Sequence, residues 1–140
     1  MSLLEKALEI ATEAHSGQTE RNGHPYIGHP HRVMARVETE DEKIVAILHD
    51  VVEDTSWTFA QLADAGFPPH IIAALDCVTK REGEDYTAFV ERSASNPLAR
   101  RIKLADLEDN MDVRRLTEVT EKDRQRLNKY LVAYRRLKTG

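Results

Sequence analysis

The stretch Ile47-Leu48-His49-Asp50-Val51-Val52-Glu53-Asp54-Thr55 decides how the chain is read. On a helix turning about 100° per residue, His49, Glu53, Asp50 and Asp54 fall within an arc of roughly 140°. Ile44, Val45, Ile47, Leu48, Val51 and Val52 occupy the other side. One face is made for a core, and the other gathers an imidazole and three carboxylates. Lys43 is the only basic residue between Asp41 and Thr55. Packed carboxylates repel one another unless a positive charge sits among them, so a metal cation is the first candidate.

Outward from this segment the chain reads as helices joined by short turns. Asp41 to about Val52 is predicted as one continuous central helix. Before it, Ser2 with Glu5 forms a capping box opening a helix that runs to about His15 and stops at Gly17. Gln18 to Pro25 is a polar loop carrying Arg21, Asn22-Gly23 and His24-Pro25, and Pro30 suits the opening turn of a second helix that begins near His29. After it, Thr58 with Gln61 opens a short helix ending at Gly66, and Pro68-Pro69 opens another carrying Ile71, Ile72, Leu75 and Val78. Asp85 caps the next. A long helix is expected from Leu98 to about Leu116, on which Asp106, Asp109 and Asn110 share a face. A charged last helix, Glu121 to Leu137, docks through Leu127, Tyr130, Leu131, Tyr134 and Leu137.

With 140 residues, 31% charged and only 6% aromatic, the expectation is one all-α domain of about six to eight helices spanning 1–140. The net charge of −4 argues against a general DNA or RNA binder, which needs a basic surface that releases counterions. Cys77 is alone, which excludes an intrachain disulfide and a thiolate zinc cluster and fits a reducing compartment. No apolar run approaches the roughly 20 residues of a membrane span, and the N-terminus lacks a basic-then-apolar signal, so a cytoplasmic protein with no membrane partner is expected.

Four stretches occur in order: His15 with Gly17-Gln18; Gly23-His24-Pro25-Tyr26-Ile27-Gly28-His29-Pro30; His49-Asp50-Val51-Val52-Glu53-Asp54-Thr55; and Lys103-Leu104-Ala105-Asp106. Together they resemble the HD-domain metal phosphohydrolases, and within them the hydrolase domain of the RelA/SpoT proteins and its small stand-alone relatives, which remove pyrophosphate from ppGpp. The resemblance covers nearly the whole chain. It implies a metal held by His29, His49, Asp50 and Asp106, with manganese the family's usual ion. Two imidazoles and two carboxylates also suit zinc, iron or nickel. It implies hydrolase roles for Glu53 and Asp54: Glu53, one turn from His49, can accept the proton of the attacking water, and Asp54 can orient or share that role. It further places nucleotide contacts on Asn110 and Tyr130. Lys103 and Arg21 are candidates for phosphate contact, Arg21 from the loop before Tyr26, while Arg100 and Arg101 are weaker ones. No synthetase or regulatory domain is expected within 1–140.

Where ppGpp hydrolases commonly carry basic residues, just before the first-helix His and in the following loop, this chain has Glu13-Ala14 and Thr19-Glu20. A ligand of four or more phosphate charges wants a basic rim. Three functions therefore remain open: a hydrolase of (p)ppGpp, a hydrolase of another nucleotide or phosphate ester, and a metal-bound nucleotide module that turns nothing over.

Overall fold

The computed structural model describes residues 1–139. Its α-helices are α1 (Leu3–Ala14), α2 (Gly28–Ala35), α3 (Glu40–Leu48), α4 (Val51–Asp54), α5 (Phe59–Asp64), α6 (Pro69–Cys77), α7 (Tyr86–Ala94), α8 (Pro97–Asn110) and α9 (Glu121–Lys138), with a 3₁₀ turn at Val113–Arg115. Eight of these have six or more residues; α4 is a single turn. Among the described residues there is no strand, only an isolated bridge between Thr19 and Pro25. The fold is the all-α bundle expected.

Local chemistry sets most helix ends. Ser2/Glu5, Thr39/Glu42, Thr58/Gln61 and Thr120/Asp123 each form a reciprocal capping box at the start of α1, α3, α5 and α9, satisfying amide N–H groups that the helix itself cannot. Asp85 and Asn96 cap α7 and α8 through their side chains. The Thr39/Glu42 box sets the start of α3 just ahead of the expected Asp41.

Two boundaries depart from expectation. The central helix is broken at His49-Asp50, where Asp50 relaxes to φ −105°, ψ −1°. Its cause is the histidine ring: His49 Nδ1–H donates to the Ala46 carbonyl at 2.6 Å, taking the acceptor that a continuing helix would offer to the Asp50 amide. The long helix stops at Asn110 rather than near Leu116. Beyond it Asp112 turns extended and its side chain accepts the Arg114 amide, starting the 3₁₀ turn.

The core is centred on α3. Ile44, Val45, Ala46, Ile47 and Leu48 are all buried, packed with Ala7, Ala11, Val33, Leu62, Ile71, Leu75 and Ile102 from five surrounding helices. This side of the segment is apolar because it is enclosed all round, and the transition to solvent comes only after His49. A smaller cluster of Val90, Leu107, Ala133 and Leu137 seats α9 on α7 and α8. That docking closes the side of the molecule on which the acidic face of the broken helix opens.

Glu84 and Arg92 tie the turn before α7 to that helix. Arg92 donates to both Glu84 oxygens at 2.9 Å and also to the Asp76 and Thr79 carbonyls. The hydrogen bonds from Arg92, followed by that from the Arg81 amide, bring the Glu84 carboxyl down from its ordinary 4.5 to about 2. A depressed carboxylate stabilises the fold above its unfolded value, and that contribution is lost as pH falls through the folded one. Glu84→Gln is therefore expected to lower the melting temperature at neutral pH and to flatten the loss of stability between about pH 4.5 and 2. Acid melting curves identical to the parent's would contradict this.

Candidate metal centre

Two histidines and two carboxylates from three separated segments meet between α2, α3 and α8. His29 sits in the first turn of α2, His49 and Asp50 at the break between α3 and α4, and Asp106 in the middle of α8. His29 Nε2 lies 2.9 Å from Asp106 Oδ1 and 3.8 Å from Asp50 Oδ2. His49 Nε2 lies 3.1 Å from Asp50 Oδ2 and 3.3 Å from Asp106 Oδ1. His29, His49 and Asp50 each offer one ligand atom, and these atoms all lie within 4.8 Å of one another.

Both imidazoles are anchored from behind. His49 Nδ1–H is spent on the Ala46 carbonyl, and His29 Nδ1–H donates to Asp109 Oδ2 at 2.7 Å. With Nδ1 committed outward, each ring turns Nε2 into the cluster, the arrangement by which outer hydrogen bonds fix the tautomer and aim of a metal-ligating histidine. His49 Nε2 is buried and has no hydrogen-bond partner among the described residues, a cost that a coordinated cation removes. The donor set, imidazole nitrogen and carboxylate oxygen without thiolate, fits a divalent ion of borderline or hard character.

The carboxylates have their own supports. The Tyr26 hydroxyl donates to Asp50 Oδ2, and burial, followed by the Asp50 charge, holds that hydroxyl protonated. On Asp106, Lys103 Nζ donates to Oδ2 at 3.1 Å and Asn110 Nδ2 to Oδ1 at 3.1 Å. Burial disfavours charge on all these groups, yet the pairs win. Asp50 is held near 2, chiefly by His49, and Asp106 well below the usual carboxylate range, chiefly by Lys103. His29 rises to about 9 through Asp106 and Asp109, and His49 rises well above its ordinary value. The cluster demands positive charge, supplied by protons on the rings or by a cation that displaces them.

Beside the cluster opens a cavity of about 580 Å³. Of the twelve candidates named from the sequence, nine line it: His29, Asp50, Glu53, Asp54, Asp106, Arg21, Lys103, Asn110 and Tyr130, whereas Arg100 and Arg101 donate to the Ala94, Leu137 and Arg36 carbonyls. His49 lies behind the wall. Glu53 Oε1 accepts the Lys80 amide at 2.8 Å, which pins the carboxylate at the rim and leaves its other oxygen free of that bond. Asp54 is raised to about 6 by partial burial and by the charges of Asp50 and Glu53.

Two candidate phosphate contacts prove to be engaged elsewhere. Arg21 is paired with Asp123 at the start of α9, and Lys103 is buried against Asp106 with its ammonium 4.8 Å from the Phe89 ring centroid. Their roles are first to dock α9 and to neutralise Asp106. Glu20, one of the acidic departures in the loop, is bound by Arg32 at 2.5 Å. Other cations line the cavity that were not among the candidates from sequence: Lys80 after α6, and Arg126 and Lys129 on α9. Lys129 Nζ stands 4.5 Å from the Tyr86 ring centroid. The spacing of Arg126, Lys129 and Tyr130 on one helix was the available signal. Asp109, read as one of a shared helical face, is fully buried and holds His29.

No protein-family model matches the chain. It is 33% identical over 124 residues to a probable GTP pyrophosphokinase of Mycobacterium leprae, covering 79% of this chain and 16% of that protein. It is 30% identical over 138 residues to a guanosine-3′,5′-bis(diphosphate) 3′-pyrophosphohydrolase of Aquifex aeolicus, covering 90% of this chain and 19% of that protein. The chain thus spans less than a fifth of the length of these curated relatives. A solved structure described as a metazoan orthologue of SpoT that hydrolyses ppGpp superimposes with a TM-score of 0.79 at 24% identity, over 98% of this chain and 85% of that one. By sequence the chain is a homologue of a segment of proteins named guanosine-3′,5′-bis(diphosphate) 3′-pyrophosphohydrolases, and it shares the helical fold of the solved SpoT orthologue.

Proposed function

We propose that the chain is a single HD domain that hydrolyses the 3′-pyrophosphate of guanosine tetra- or pentaphosphate, using a divalent cation, manganese in the first instance, held by His29, His49, Asp50 and Asp106. The observation that carries this reading is the pair of imidazoles anchored at Nδ1 with both Nε2 atoms turned onto two carboxylates. When bound, the cation supplies Lewis acidity, neutralising phosphate charge and acidifying water. The remaining work belongs to the side chains. Lys103 and Asn110 hold Asp106, and Tyr26 holds Asp50, in the orientation the cation needs. Glu53, pinned at the rim by the Lys80 amide, accepts the proton of the water that attacks phosphorus. Asp54, with its carboxyl near 6, is poised to share that proton at neutral pH. Lys80, Arg126 and Lys129 supply the positive rim for the phosphates, while Tyr130 and Tyr86 offer ring faces to the nucleoside.

A second reading, a nucleotide or phosphate ester of lower charge, is favoured by the engagement of Arg21 with Asp123, which leaves the loop after α1 little free positive charge. One assay separates the two. Purified protein with Mn²⁺ is offered ppGpp, other nucleotides and simple phosphate esters, with metal content measured on the same sample. Pyrophosphate released from ppGpp well ahead of the rest is the expected result. Turnover confined to a less charged ester would transfer the assignment to the second reading, and metal binding without turnover of anything would contradict both.

A further inference from the structure

Asp109 is the least exposed ionisable group of the centre, and nothing in the proposed chemistry uses it directly. It projects from α8 one turn beyond Asp106, and its side chain is fully buried. One oxygen, Oδ2, accepts His29 Nδ1–H at 2.7 Å. Around the carboxylate stand three guanidinium groups. Arg32 Nε donates to Oδ1 at 3.0 Å, Arg115 reaches Oδ1 and Oδ2 at 3.5 and 3.4 Å, and an Arg36 nitrogen lies 3.7 Å from Oδ1. Arg115 also donates to the Asp109 backbone carbonyl at 2.9 Å, so the turn after α8 is folded back onto this residue.

This is an unusual concentration of positive charge to spend on one buried carboxylate. A lone carboxylate behind His29 would be costly to bury, and breaking such a pair leaves an uncompensated charge. The guanidiniums offset that cost, and the hydrogen bonds from Arg32 and Arg115 hold the carboxylate where it accepts His29 Nδ1–H. They come from α2, which also carries His29, from the residue that caps its C-terminal end, and from the 3₁₀ turn, so the clamp ties together the two segments whose separation would release the ring. Because the arginines occupy Asp109, it is also kept from turning inward to become a competing ligand.

Resting on the metal reading above, we propose that Asp109, clamped by Arg32, Arg36 and Arg115, is a positioning residue that sets the tautomer and aim of His29 and thereby the affinity of the centre for its cation. Loss of an outer hydrogen-bond partner of this type weakens metal binding by about 10- to 100-fold.

The test uses Mn²⁺ alone, titrated into the metal-free full chain and followed by the electron paramagnetic resonance signal of the free ion, with helicity and melting temperature recorded before metal is added. Asp109→Asn, which removes the charge at nearly constant shape, and Asp109→Glu, which keeps the charge for the arginines but displaces the acceptor, are both expected to bind Mn²⁺ about 10- to 100-fold more weakly than the parent while remaining helical. A merely structural role would lower the melting temperature and leave the affinity of the folded protein unchanged, and that result in whichever variant folds would overturn the proposal. A readout without any variant is the ¹H–¹⁵N spectrum of the parent's histidine rings with Zn²⁺. His29 protonated at Nδ1 and metallated at Nε2 is expected; the reverse assignment would overturn it. A parent that binds neither ion would instead sink the metal reading, which keeps the two failures distinguishable.

Discussion

Asp50→Ala, and equally His49→Ala, is expected to abolish Mn²⁺ binding and to reduce metal-dependent pyrophosphate release by about 10³-fold or more, the several kcal/mol that a Lewis-acidic cation contributes to a phosphoryl transition state. The two substitutions reach this result by different routes. Asp50 Oδ2 is the oxygen nearest His49 Nε2 and also faces His29, so its loss takes away the carboxylate on one side of the cluster and leaves two imidazoles facing Asp106 alone. His49 would contribute a ligand nitrogen, and its Nδ1–H bond to the Ala46 carbonyl breaks the helix at His49-Asp50. Its removal therefore also frees the Ala46 carbonyl, and a more continuous helix through residues 49 and 50 is expected, turning Asp50 away from Asp106. Asp50 is the cleaner test because its side chain is partly exposed and its truncation opens no large void. Metal titration and turnover measured on the same folded sample check the outcome. Either variant retaining parental Mn²⁺ affinity would contradict the ligand assignment.

Glu53→Gln is expected to separate binding from chemistry. The glutamine carbonyl oxygen can still accept the Lys80 amide, so the local backbone is preserved and only the charge and the basic oxygen are lost. Mn²⁺ affinity should stay within a few-fold of the parent, and kcat should fall by about 10²- to 10⁴-fold, the usual contribution of a positioned general base, with little change in KM. Activity equal to the parent's would remove Glu53 from the proton path and shift that role to Asp54, which shares the rim and has its carboxyl near 6. A proportionate loss of metal and turnover would instead mean that Glu53 holds the ion.

Much of this architecture was legible because its determinants are local. The capping boxes of Ser2/Glu5 and Thr58/Gln61, the stop at Gly17 with φ +84° and the apolar face of residues 44–48 are each readable within a few residues of chain. The grouping of His29, His49-Asp50 and Asp106, which the fold assembles between α2, α3 and α8, came from the family resemblance of the stretches that hold them. What escaped depends on pairs distant in sequence. The helix through His49 is broken by its own ring, an interaction that a helical wheel does not represent. Arg21 looks free until α9 brings Asp123 to it, and Lys103 looks like a phosphate contact until burial commits it to Asp106. Asp109 looks like a surface acid on a charged helix, because its four partners, His29, Arg32, Arg36 and Arg115, lie on other elements. The cations that line the cavity, Lys80, Arg126 and Lys129, lie far in sequence from Glu13 and Glu20, on segments that only folding places there.

The same geometry explains how an acidic chain could serve a polyanionic substrate. Its net charge of −4 describes the whole chain, whereas the charges the proposed substrate would meet are local: the cation proposed for the carboxylate cluster and a rim of Lys80, Arg126 and Lys129. Net charge describes the whole surface and says little about one cavity.

The measurement that bears most directly on this account is a crystal structure of the full chain grown or soaked with Mn²⁺, with anomalous scattering recorded at the manganese edge. One anomalous peak in contact with His29 Nε2, His49 Nε2, a carboxylate oxygen of Asp50 and Oδ1 of Asp106 is the expected result. A peak bound elsewhere, or no peak at this cluster in a crystal saturated with the ion, would contradict it.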